Sequence, residues 1–311
     1  RKKHFLFASV LALLCGSSTL HAQDFKLTSS GYFKNQGVDV MAFDDIYPEG
    51  HQGGVCIIMN GHRVATNGDI RLEATPGQWQ PVPKQLDRKL GDNSITATLC
   101  YPDSSRHLTG FNPMIYPDLH LIYTVNVESK GKNIEVTVDL DRPIPQEFIG
   151  KVGFNLEFFP GSLFGKPWIM DGQSGIFPQQ PNSPLMTTQP NYLHTGNYHD
   201  GKKSLADMDK LIGKGYSPIV ADDIISEPYA KGTKFTSRPD DPYNKVSIES
   251  LSGDLQLFDG RMNHNNGWFV LRSNIKPGVT KGAVKWIITP NVVADWMYQP
   301  VIQTSQIGYH P

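Results

Sequence analysis

Three features of the sequence predict an all-β protein, a large antiparallel β-sandwich with long loops. Glycine and proline are abundant, at 29 and 23 of 311 residues, which suits a chain that turns often. Several short segments alternate polar and apolar residues with period two, the pattern of half-buried strands. One segment alone, residues 205–212, reads as a helix, with Ser204 placed to cap it and Gly213 to end it. Many strands and one short helix bury their apolar faces by stacking sheets.

The strands follow in order. Residues 55–59 form a short apolar run of the kind a central strand shows. Asn60-Gly61 is a hairpin turn signal, and residues 62–66 read as the returning strand, closed by a second turn at Asn67-Gly68. Residues 69–74 then alternate polar and apolar. The clearest hairpin pairs residues 120–128 with 134–140, both rich in β-branched side chains, across a loop at 129–133. Later strands are expected at 245–249, 255–258, 267–272 and 283–289. Between 141 and 243 the pattern changes, with aromatics set among Gly and Pro at 158–168 and 171–178. A polar, aperiodic run follows at 181–201. Loops of that length inside a domain usually have a task or are mobile.

Residues 1–22 carry the marks of a signal peptide. Arg1, Lys2 and Lys3 precede an apolar run at 5–14, and Ala22 offers a small residue at the cleavage position. Export to the periplasm or the exterior is expected. A membrane span needs about 20 apolar residues, and the sequence has no second hydrophobic stretch. Cys15 follows Leu14, where a lipoprotein signal wants a small residue. Residues 23–299 are expected to form one β-sandwich domain, with a further module starting at 300–311. The net charge of −1, from 29 basic and 30 acidic residues, leaves no electrostatic footprint for nucleic acid or an anionic membrane. Beyond the signal, Cys56 and Cys100 remain. They either form a disulfide, which an oxidising compartment permits, or are two buried thiols on neighbouring strands.

Chemistry is harder to place. A glycosidase needs two carboxyl groups about 5–10 Å apart, one of them protonated. Asp44, Asp45, Asp171, Asp222, Asp223 and Asp259 occupy loop contexts that turn and cap roles also explain. Glu157 stands in an apolar stretch and needs a partner there, with an ion pair to a nearby Arg or Lys the common outcome. No catalytic residue is assigned. His194, His199 and Asp200 lack the framework of a zinc site. Asp259, Asn263 and Asn265 could supply calcium oxygens, but Asx turns account for the same residues. No metal and no cofactor are expected. No nucleophile elbow, phosphate loop or dinucleotide fingerprint occurs in the sequence.

Sugar recognition is better served, because sugar rings stack on Trp or Tyr and their hydroxyls bind amides, carboxylates and Arg. Trp168 and Asp171 offer this mixture, as do Arg261, Asn265 and Trp268. A glycan-contact surface of these five requires two distant loops to meet; core packing of both Trp rings is the competing reading. Trp286 alternates with Val284 and Ile288 and is expected in the core.

The run Ser305-Gln306-Ile307-Gly308-Tyr309-His310-Pro311 resembles the opening of the immunoglobulin-like module that precedes the catalytic barrel in family 9 glycoside hydrolases. Residues 157–165 and 265–270 resemble the extra N-terminal β-rich region of long polysaccharide-degrading proteins of Bacteroidetes type. These resemblances imply the N-terminal part of a longer, cellulase-like secreted hydrolase. Its partners would be a polysaccharide or oligosaccharide and a downstream catalytic domain of the same chain. They imply a non-catalytic module that binds glycan or packs on that domain, since the family's acids lie in the barrel. The alternative is a sandwich that is itself catalytic, or a free-standing lectin-like protein.

Overall fold

The computed structural model describes residues 24–44, 53–73, 75–76, 81–107, 109, 116, 119–181, 185–187, 224–262 and 267–300. The signal segment, the helix expected at 205–212 and residues 301–311 lie outside the described residues.

Strands β1 (Lys26–Leu27), β2 (Phe33–Asn35), β3 (Val38–Ala42), β4 (Val55–Met59) and β5 (His62–Leu72) form an antiparallel meander. A second meander contains β6 (Lys84–Leu90), β7 (Ser94–Tyr101), β8 (Leu121–Lys130) and β9 (Asn133–Leu140). Next come β10 (Val152–Phe158), β11 (Pro167–Met170), β12 (Gln173–Ile176), β13 (Leu185–Thr187) and β14 (Ile224–Ser226). The chain continues through β15 (Ala230–Gly232), β16 (Lys234–Ser237) and β17 (Val246–Ser250). It closes with β18 (Leu255–Asp259), β19 (Phe269–Asn274) and β20 (Val284–Pro290).

These strands build the predicted all-β sandwich from two nine-stranded sheets. The first has the order β1-β2-β3-β4-β5-β10-β19-β18-β15, and the second β12-β11-β16-β17-β20-β9-β8-β7-β6. Strands β13 and β14 pair separately. Within the first sheet β10 enters between β5 and β19, so residues distant in sequence meet side by side.

The 120–140 hairpin forms as expected, with Tyr123 opposite Leu140 and Lys130 opposite Asn133. Its loop is shorter than the sequence suggested, because pairing continues to a two-residue turn at Gly131-Lys132, where Gly131 has φ 63°. Asn60 and Gly61, at φ 53° and 82°, make the turn between β4 and β5. Asn67-Gly68 does not turn the chain. It is an irregularity inside the single strand β5, with Asn67 at φ 55° and register shifts on both flanks. Glycine is required at 68, since a Cβ there would lie 2.6 Å from the Val55 Cβ. The irregularity re-aims the residues that follow it.

Between the sheets, Phe154, Leu156 and Phe158 of β10 face Trp286 and its neighbours. The Trp286 ring meets Phe154 edge-on at 5.0 Å, and its indole N–H donates to Ser273 Oγ at 3.0 Å. We expect Trp286→Phe to lower stability by about 1–2 kcal/mol, through lost ring volume and one lost hydrogen bond. Urea denaturation will show whether the loss reaches that range; an unchanged midpoint would contradict this packing.

Candidate functional site

Of the residues expected to form a glycan surface, Trp168, Asp171 and Arg261 are engaged in holding the fold. Trp168 is buried in β11, under Gly175 of β12, where a Cβ would come within 2.5 Å of the ring. It cannot stack a sugar from there. Asp171 follows β11 at φ 49°, and its two oxygens accept the amides of Thr233 and Lys234, each at 2.9 Å. That carboxylate fastens the β11–β12 turn to β16. Asn265 lies outside the described residues.

Arg261 does bring the two loops together. Its guanidinium grips Asp259 through Nε at 2.9 Å and Nη2 at 2.8 Å, and donates to the carbonyls of Pro178 and Gln179. The cation also stacks over Phe269, 4.6 Å from the ring centre. Trp268 is half-buried edge-on against Phe159 at 4.2 Å. The loops meet, but Arg261 joins them as a clasp and its donors face protein carbonyls. Cys56 and Cys100 lie on β4 and β7, strands of different sheets, and are neither bridged nor neighbours.

A polar stripe on the first sheet is the more distinctive feature. On β10, Phe154, Leu156 and Phe158 face the partner sheet, which turns Gly153, Asn155 and Glu157 to the other face. Register places Asn155 between Asp69 of β5 and Arg272 of β19, and Gly153 between Arg71 and Asn274. Asn67, Asp69, Arg71, Glu73, Asn155, Glu157 and Arg272 are all buried, together with Val270 and Phe258, which stand apart from the inter-sheet core.

Arg272 organises the stripe. Its guanidinium lies over Gly153, where a Cβ would come within 2.7 Å of Nε. Nε donates to Asn274 Oδ1 at 2.7 Å, while Nη1 reaches Glu73 Oε1 at 3.2 Å and Asn155 Oδ1 at 3.3 Å. Nη2 donates to the carbonyls of Glu73 and Lys151. Asn155 Nδ2 bonds the same Glu73 oxygen at 2.5 Å, and Asn67 Nδ2 bonds Glu157 Oε2 at 2.6 Å. The partner sheet contributes Tyr123, whose hydroxyl donates to Asp69 Oδ1 at 2.9 Å. Tyr101 accepts the Leu72 amide and donates to the Pro81 carbonyl.

Burial sets the protonation of these groups. It pushes Asp69 up to about 6, against Arg71, the Ile70 amide and Tyr123. Burial likewise pushes Glu73 up to about 7, against Arg272 and Asn155. Both carboxyls can therefore hold a proton much closer to neutrality than exposed acids do.

Sequence reasoning singled out Glu157 and passed over the rest of the stripe. The signal was present as charged residues alternating with apolar ones at 69–73, and as Arg272 within an otherwise apolar strand. Such residues in a central strand need partners, but their pairing across β5, β10 and β19 depends on register.

No family model matches the chain, and no curated protein sequence matches it. Among solved structures it is similar to the Slr1438 protein from Synechocystis sp. PCC 6803, at 11% identity and a TM-score of 0.35, covering 86% of this chain and 96% of that one. A galactose mutarotase related enzyme from Lactobacillus acidophilus gives 8% identity and a TM-score of 0.36, covering 83% and 96%. A galactose mutarotase-like protein from Lactobacillus casei ATCC 334 gives 12% and 0.37, covering 83% and 97%. Likenesses at this level assign the chain to no family.

Proposed function

We propose that residues 23–299 are the non-catalytic β-sandwich module of an exported glycoside hydrolase acting on polysaccharide. In this reading a signal peptide precedes the module, and an immunoglobulin-like module beginning at residue 300 leads to the catalytic domain. One observation carries the non-catalytic part. Three of the seven acids nominated for chemistry are already committed to the fold: Asp171 to two backbone amides, Asp259 to Arg261 and Tyr229, and Glu157 to Asn67. A general acid or base must come within hydrogen-bond reach of the substrate, and groups spent in this way cannot.

A second reading, a catalytic sandwich, draws on Glu73, which burial pushes up to about 7. A proton held there at neutral pH is what a general acid requires. One assay decides between them. We expect the 311-residue chain to release no more reducing sugar from β-glucans and other plant polysaccharides than a heat-killed control. Release abolished by Glu73→Gln or Asp69→Asn would establish the second reading and remove the first.

A further inference from the structure

The polar stripe carries acceptors to which the protein donates no hydrogen bond, although Arg71 Nη1 stands 3.6 Å from Asp69 Oδ2 as an ion pair. Asn67 Oδ1, Asp69 Oδ2 and Glu73 Oε2 are buried and receive no hydrogen bond, although the other polar atom of each side chain is engaged. Their residues are 6%, 0% and 1% exposed, so bulk water does not serve them freely. With both carboxyls ionised, above pH about 7, all three atoms are acceptors. Buried polar groups are normally paired, and three orphans along one strand indicate a missing partner that brings donors.

The chemistry of that partner can be narrowed. Three carboxyls against two guanidiniums disfavour an anion. Among the described residues no group of His, Cys, Asp and Glu is arranged to hold a metal ion. A lone ammonium offers three donors at one point, whereas these acceptors sit on Asn67, Asp69 and Glu73, spread over about 20 Å of strand. Glu73 shortens that span by folding back to Asn155, the register partner of Asp69. The remaining distance still suits hydroxyls arrayed around a ring better than one charged head. We infer that the stripe is a binding site for a neutral polyhydroxylated ligand, a saccharide of one or two rings. Its hydroxyls donate to Asn67 Oδ1, Asp69 Oδ2 and Glu73 Oε2. Asn67 and Arg71, the most exposed members at 6% and 4%, mark the side of entry. The site goes beyond the module reading, because a free-standing binding protein would use it equally.

The test is calorimetric titration of the chain with glucose, galactose, mannose and cellobiose at millimolar concentrations, repeated on Glu73→Gln and Asp69→Asn. Each substitution puts an NH2 donor on a side chain whose free atom was an acceptor, and circular dichroism checks that the fold persists. Should one variant fail to fold, the other still reports. We expect at least one sugar to bind the wild-type chain, and either variant to weaken it by about tenfold or more, the worth of one buried hydrogen bond. No binding by the wild type, or equal binding by the folded variants, overturns the proposal. So does a sugar-soaked crystal showing water alone on the three acceptors. Hydrolysis with intact binding would count against the module reading and leave this one standing; no binding and no hydrolysis would do the reverse.

Discussion

Arg272→Ala will destabilise the protein by about 3–5 kcal/mol, the range for removing one member of a buried ion pair. The loss exceeds that of a single contact because the guanidinium serves five acceptors at once. After truncation the Glu73 carboxyl escapes the charge penalty by taking up a proton. Lys151 O keeps the Glu73 amide as a donor. The Glu73 carbonyl and Asn155 Oδ1 have no such escape, and each lost hydrogen bond at a buried acceptor is worth about 1–3 kcal/mol. Arg272→Lys separates charge from geometry. It restores the cation but offers three donors from one point in place of a planar fork. We therefore expect lysine to recover less than half of the loss in urea denaturation. Full recovery by lysine would show that charge alone holds the stripe together.

The same residue shows how much of this fold could be read from the sequence. Local alternation was enough for the 120–140 hairpin and for β17 and β20, whose positions follow from period-two burial, while β18 and β19 show as apolar runs buried at nearly every residue. It was not enough for β6, which is charged and mostly exposed at the sheet edge, so no apolar face announces it. Strand β10 was passed over for a different reason: Val152–Phe158 does alternate, but Gly153 and Asn155 weaken the strand signal, and its polar face is buried as fully as its apolar one. Asn67-Gly68 carries the letters of a hairpin turn, yet β10 continues the pairing on one side of β5 and converts it into an irregularity. Whether such a dipeptide turns the chain or bends a strand is decided by the neighbouring strand, which a local reading does not see.

The candidate site was less legible still. Trp168, Asp171 and Arg261 have the composition of a sugar site, but Gly175, Gly232 and the 178–179 carbonyls lie close around them and give each a structural partner. Composition states what side chains could bind and leaves open what already binds them. The stripe has the converse character. Its acids and arginines come from positions 67–73, 155–157 and 272, and only the order β5-β10-β19 sets them side by side.

That juxtaposition fixes the direction in which stability changes with pH. Asp69 and Glu73 have folded-state values raised to about 6 and about 7, chiefly by burial. A group raised in this way favours the folded state fully below its unfolded value, and the advantage is lost as pH climbs through the folded value. Between pH about 4 and about 7 the protein should therefore lose stability, on the order of 3 kcal/mol for each group at 1.36 kcal/mol per unit. Asp139 and Asp241 act in the opposite sense. Burial pushes both up, but the Gly282 amide and Lys281 hold Asp139 below the usual range, and Asn244 and Arg238 do the same for Asp241. Their contribution is present above the unfolded value and disappears as pH falls below about 4. The stability maximum is thus expected on the acid side of neutrality, near pH 4–5, with losses on either flank. Urea denaturation across this range will display the profile, and Glu73→Gln should flatten its upper flank, since glutamine has no proton to lose. A stability that rises steadily from pH about 4 to 7 would mean that Arg71 and Arg272 hold both carboxyls as ions and that ion pairing outweighs burial in this stripe.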